Sequence, residues 1–133
     1  MPFYRQQIVA TTNAGTLITV ETLAVLPERV VRITHCGLLN ASGETVTAQL
    51  GVQDGESFLP IQPKQTVANN DATAIVDEFL IYEGQRLAAQ VTGTADHGPV
   101  TLYASGMEFD FDPPPEPVAV AVIPQQKKPV TNY

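Results

Sequence analysis

The chain holds two histidines, His35 and His97, and a single cysteine, Cys36. His35 and Cys36 are neighbours in "RITHCGLLN". On a strand, adjacent side chains point to opposite faces. The pair therefore cannot close on one metal ion, and a zinc centre needs three or four ligands. Alternation sets His35 on one parity with Val31, Ile33 and Leu39, which predicts a partly buried structural histidine. His97 follows Asp96 in the turn-like "TADHGPV". An acid–base couple there would still need a nucleophile placed by the base, and no spacing in the chain supplies one. Glu108, Asp110 and Asp112 alternate in "EFDFD", with a second acidic pair at Asp77 and Glu78. A row of carboxylates can take calcium, but it more often forms a solvated face or guards a sheet edge. "GVQDGES" lacks the full acidic pattern of a calcium loop, and no phosphate-binding or dinucleotide fingerprint is present. The sequence therefore predicts no catalytic residue, no metal site, no cofactor and no enzymatic activity.

The elements around these residues have a period of two. In "TVTAQLGV", Val46, Ala48, Leu50 and Val52 fall on one face and the threonines and Gln49 on the other, the pattern of a half-buried strand. Leu87, Ala89 and Val91 repeat it, as do Val100, Leu102 and Ala104. Turn signals with glycine separate the runs at Asn13–Gly15, Ala41–Glu44, Gln53–Glu56, Tyr82–Gln85 and Asp96–Pro99. Asp54-Gly55 is the strongest tight-hairpin signal. Strands are predicted near 6–12, 16–23, 29–40, 45–52, 57–61, 75–82, 86–93 and 99–109. The polar stretch 61–74 reads as a crossover loop with one helical turn. No segment sustains a helical period. The predicted fold is an all-β antiparallel sandwich, jelly-roll-like. An immunoglobulin-like sandwich is the alternative, but the chain has no tryptophan and lacks a cysteine pair.

The composition changes after Phe109, giving a sandwich domain over 1–109 and an extended C-terminal arm over 110–133. Six of the eleven prolines lie in the second part. "DPPPEP" favours extended polyproline II. "VAVAVI" is a short β-prone run stopped by Pro124, and "QQKKPVTNY" closes the chain. A stiff spacer, an apolar strand and a polar end could add a strand to a neighbour's open sheet edge. The residues assigned to that contact are Val118, Val120, Val122, Ile123, Lys127, Lys128 and Tyr133. A last strand folding back on its own domain, or a disordered tail, fits the same residues.

Composition narrows the partners. Of the 133 residues, 44% are hydrophobic, enough for one domain with a core, and the net charge is −7. That balance argues against nucleic acid and against an anionic membrane surface, both of which require a basic face. One cysteine makes no internal disulfide. No apolar run reaches the length of a signal peptide core or a spanning helix, which predicts a soluble chain. The aromatic candidates for surface contacts are Phe3, Tyr4, Phe58, Tyr82, Tyr103 and Tyr133, with Phe58 and Tyr82 expected to fill or seal the core.

Two stretches, "VVRITHCGLLNASGETVTAQLGVQDGESFLPI" and "DEFLIYEGQRLAAQVTGTADHGPVTLYASGMEF", carry a shared grammar. A strand leads into an N-x-S-G turn (Asn40, Ser42, Gly43), and the alternating strand Thr45 to Val52 follows. Next comes an L-x-x-G-Q-x-L step with one extra residue (Leu80, Gly84, Gln85, Leu87). A V-x-x-x-x-S-G-x-E strand ends it (Val100, Ser105, Gly106, Glu108). This grammar resembles the small β-sandwich virion proteins of tailed bacteriophages. The resemblance implies a capsid decoration (cement) protein or a head–tail accessory protein, assembled in the host cytoplasm and resident in the virion. It implies contact with the major capsid protein or other virion proteins, and a homo-oligomer, of which a trimer is the common form. A tail- or fibre-associated module binding a glycan or a host-surface protein is the alternative.

Overall fold

The computed structural model describes residues 2–111. They form ten strands: β1 (Phe3–Thr11), β2 (Leu17–Glu21), β3 (Arg29–Asn40), β4 (Val46–Asp54), β5 (Ser57–Pro60), β6 (Gln65–Val67), β7 (Asp71–Ala72), β8 (Phe79–Tyr82), β9 (Gln85–Gly93) and β10 (Pro99–Asp110). Two five-stranded antiparallel sheets result. The first runs β1-β10-β3, with β7 and β8 sharing the far side of β3. The second runs β2-β9-β4, with β5 and β6 sharing the far side of β4. The chain is therefore an all-β sandwich.

Alternation builds the layer between the sheets. Val46, Ala48, Leu50 and Val52 of β4, Leu87, Ala89 and Val91 of β9, and Val100, Leu102 and Ala104 of β10 are all buried, on the parity the sequence assigns them. Each leucine or valine so buried contributes roughly 1.5–3 kcal/mol. Asp54 pairs with Ser57 across the expected tight hairpin, and Gly55 takes the positive φ (61°) that opens it.

Strand β3 departs from simple alternation. His35 pairs with Ser105, but Ile33 pairs with Gly106, so Thr34 is an extra residue and the strand carries a β-bulge. The bulge flips the inward parity. Val31 and Ile33 face the core before it, and Cys36, Leu38 and Asn40 face it afterwards. His35 and Leu39 consequently point to solvent, and the expected burial of His35 is corrected.

Two further expectations change. The 61–74 stretch does cross from the second sheet to the first, but it contains β6 and β7 and no helical turn. Side chains hold it extended: Gln65 accepts from the Ala74 N–H (2.7 Å), and Gln49 donates to the Gln62 carbonyl (3.1 Å). Residues 75–78 lie outside any strand, with Ile75 exposed, and β8 starts only at Phe79.

Candidate functional site

The structure does not gather the residues that could have done chemistry. His35 stands on the outer face of the first sheet, its ring centroid 5.4 Å from that of Tyr103. Burial raises the Tyr103 pKa, and a charge on Cys36 would raise it further. His97 lies in the β9–β10 turn at positive φ (57°), its N–H donating to the Thr12 carbonyl (2.8 Å). Asp96 beside it accepts from the Ala14 N–H (2.9 Å) and so ties the β1–β2 turn to the β9–β10 turn. Along β10, the partner of His35 and the residue following His97 are seven positions apart, about 23 Å at strand rise. The acidic residues are also dispersed. Asp110 pairs with Arg29 (3.3 Å), Glu78 pairs with Arg32 (2.7 Å), and Asp112 lies outside the described residues. Among the described residues no cluster of three His, Cys, Asp or Glu side chains could hold a metal. Cys36 is buried, and desolvation pushes its thiol up to about 11.

What the fold does build is an unequal pair of flanks. On one flank each sheet ends in short pieces: β7 has two residues and β8 four, β5 four and β6 three. Short broken edges are poor templates for another strand. On the opposite flank the first sheet ends in β1, nine continuous residues long. The ladder to β10 is bonded through the even positions: the Glu108 N–H donates to the Pro2 carbonyl and the Thr12 N–H to the Gly98 carbonyl. Antiparallel alternation then turns the N–H and C=O groups of Phe3, Arg5, Gln7, Val9 and Thr11 outward along the edge. Among the described residues no strand pairs with that edge. It contains no proline, lysine or bulge, and Arg5 is its single charge.

Apolar side chains are also incompletely covered on this flank. Tyr4, Ile8 and Ala10 of β1 and Ile18 of β2 pack against the core while remaining partly exposed. Phe3 (85% exposed), Leu23 (68%) and Leu26 (60%) stand clear of the surface around a cavity of about 470 Å³ that Tyr4, Val25 and Val31 also line. The Tyr4 hydroxyl is buried without a well-formed hydrogen bond. Desolvation raises its pKa, a weak interaction with the Thr22 side chain opposes this, and Glu108 adds to the rise.

The other aromatics divide differently from expectation. Phe58 does not fill or seal the core: it pairs with Gln53, on the parity opposite the buried Leu50 and Val52, and lies over Gly51 on the outer face of its sheet, where an added Cβ would come within 2.6 Å of its ring. Tyr82 is 41% exposed and packs edge-on against Phe111 instead of sealing the core. The arm residues Val118, Val120, Val122, Ile123, Lys127, Lys128 and Tyr133 lie outside the described residues. Sequence reasoning missed the β1 edge as a site. The strand predicted near 6–12 starts three residues late. The available signal was the inward parity of Tyr4, Ile8 and Ala10. No family model, curated protein or solved structure matches the chain.

Proposed function

We propose that this chain is a non-enzymatic structural protein of a bacteriophage particle, a capsid decoration (cement) protein that binds the particle surface and bridges its subunits. The observation that carries the reading is the nine-residue β1 edge with its backbone groups turned outward beside a partly exposed apolar flank. Such an edge suits adhesion by strand addition. The strand order adds support. Counting β5 with β6 and β7 with β8 as broken single strands gives eight, ordered β1-β10-β3-β8 over β2-β9-β4-β5. We read that order as jelly-roll-like, which would place the chain in an architecture used by viral capsid and lectin domains. The sequence resemblance supplies the virion context and a trimer as the oligomer. In this reading the proline-rich arm carries Val118, Val120, Val122 and Ile123 across a subunit boundary. Lys127 and Lys128 meet acidic groups of the major capsid protein, and Tyr133 ends the contact. The test is co-sedimentation with purified virus-like particles, comparing the full chain with one ending at Asp112. The full chain pellets and the short chain stays in solution. Equal pelleting of both would remove the arm from the mechanism, and pelleting of neither would remove the decoration reading.

One observation favours a second reading, a glycan-binding module. The His35–Tyr103 pair borders a groove of about 260 Å³ on the outer sheet face, lined also by Gln7, Thr101 and Ser105. An aromatic face beside hydroxyl and amide groups is suited to a sugar ring. Saturable glycan binding lost in Tyr103→Ala would select this reading.

A further inference from the structure

We infer that the outer edge of β1 is the acceptor for Val118–Ile123 of a second copy of this chain. The inference rests on the arm reading above and adds the surface the arm engages. Three observations converge on it. First, the edge offers five outward N–H and C=O sites, at Phe3, Arg5, Gln7, Val9 and Thr11, along an unbroken strand. Second, "VAVAVI" is bounded by Pro117 and Pro124, so a strand formed by it is held to six residues, a length the nine of β1 accommodate. Third, its side chains match the two faces of the edge. In an added strand Val118, Val120 and Val122 share one parity and Ala119, Ala121 and Ile123 the other. The valine parity placed inward extends the row of Tyr4, Gln6, Ile8 and Ala10, apolar but for Gln6, and covers the partly exposed Tyr4, Ile8 and Ala10.

The path of the chain favours a neighbour over a return to the same molecule. Phe111 is held on the β3–β8 side of β10, away from β1: its N–H donates to the Glu28 carbonyl (2.8 Å), and its ring packs on Tyr82 at 5.8 Å. To reach its own β1 edge the chain would have to reverse direction past the end of β10 within residues 112–117. Four of those six residues are prolines, a composition that favours extension over reversal. A neighbouring copy needs no reversal. The contact is heterologous, edge to arm, and closes into a ring when the rotation between copies allows.

The test uses the full chain and Val120→Asp, which places a charge in the arm and leaves every sandwich residue unchanged. Mass by light scattering is measured over a concentration series, and amide hydrogen exchange is followed residue by residue. The wild-type chain self-associates and Val120→Asp is monomeric. In the wild type the odd-numbered amides of β1 (Phe3, Arg5, Gln7, Val9, Thr11) gain at least tenfold protection over Val120→Asp. The even-numbered amides bonded to β10 are equally protected in both. Three results would overturn the inference: a Val120→Asp oligomer of wild-type size, odd-numbered amides that exchange alike in both chains, or a wild-type monomer whose odd-numbered amides are protected, which would mean the arm folds back on its own edge. A monomeric wild type that still pellets with particles sinks this inference and spares the decoration reading. Self-association without pelleting does the reverse.

Discussion

Gly106 faces the Arg32 carbonyl so closely that no side chain fits between them; a Cβ there would also lie 2.9 Å from the Arg32 carbonyl carbon and 3.1 Å from the Ile33 Cα. This contact lies at the register shift that makes Thr34 the extra residue of β3. All the obstructing atoms are backbone, so a rotamer change cannot relieve them. Gly106→Ala should therefore cost about 2–3 kcal/mol, the upper part of the range for overpacking. Urea unfolding of the variant against wild type measures it. A change within about 0.5 kcal/mol, the scale of ordinary surface substitutions, would show that the bulge can re-form elsewhere.

Asn40 anchors the turn that follows the bulge. Its side chain is fully buried, with Nδ2 donating to the carbonyls of Glu44 (2.7 Å) and Val67 (3.0 Å) and Oδ1 accepting from the Ser42 N–H (3.0 Å). One side chain thus fixes the β3–β4 turn and clamps β6 to it. Asn40→Ala strands these partners and should lower stability by about 3 kcal/mol. Asn40→Asp keeps the shape but turns acceptor oxygen toward two carbonyls, and should cost at least as much. Thermal unfolding of both variants checks the order, and a well-tolerated Asp would refute the donor role.

Gly106 and Asn40 separate local pattern, which the residues display, from long-range contact, which only the fold decides. The alternating runs at 45–52, 86–93 and 99–104 revealed their buried faces because each threads the sandwich without interruption, whereas beyond Ala104 the register shift at Ser105/Gly106 ends the alternation. The N-x-S-G turn was visible as Asn40, Ser42 and Gly43, but not the reach of Asn40 to Val67, which depends on a strand 27 positions away. The bulge was invisible because Thr34 and His35 carry no mark of an extra residue. Its cause sits on another strand, in Gly106, and that single offset moved His35 from the core to the surface. In the "DHGP" turn the positive φ falls on His97, while Gly98 is required by crowding: an added Cβ would lie 2.5 Å from the Ser42 Cβ. The β1 edge was hidden for a similar reason. Whether a strand is an edge follows from sheet order, not from its own residues.

Cys36 gives a pH signature. Its thiol titrates near 11 in the folded chain and near 9 when exposed, because burial disfavours the thiolate. The stability tied to the neutral thiol is fully present below pH 9 and is lost as pH rises from 9 through 11. The expected loss is on the order of 2 kcal/mol. Cys36→Ala should lack that component, so the difference in unfolding free energy between wild type and variant narrows across this window. A difference that stays constant from pH 8 to pH 11 would contradict the shift. The thiol should also resist alkylation at pH 8 until the protein is unfolded.

Arg5 is the single charge on the outward-facing edge of β1. A long apolar edge with unpaired backbone groups recruits further strands, and charge is the usual deterrent. In a chain ending at Asp112 the arm cannot occupy that edge, so Arg5 is left as its one guard. Arg5→Val in that background joins Phe3 and Val9 into an uncharged row and should speed aggregation severalfold, followed by light scattering at constant temperature. Arg5→Lys keeps the charge and should aggregate no faster than the parent. Equal rates for the valine and lysine variants would mean that association does not proceed through the β1 edge, and would weaken the case for that edge as the adhesive surface of the molecule.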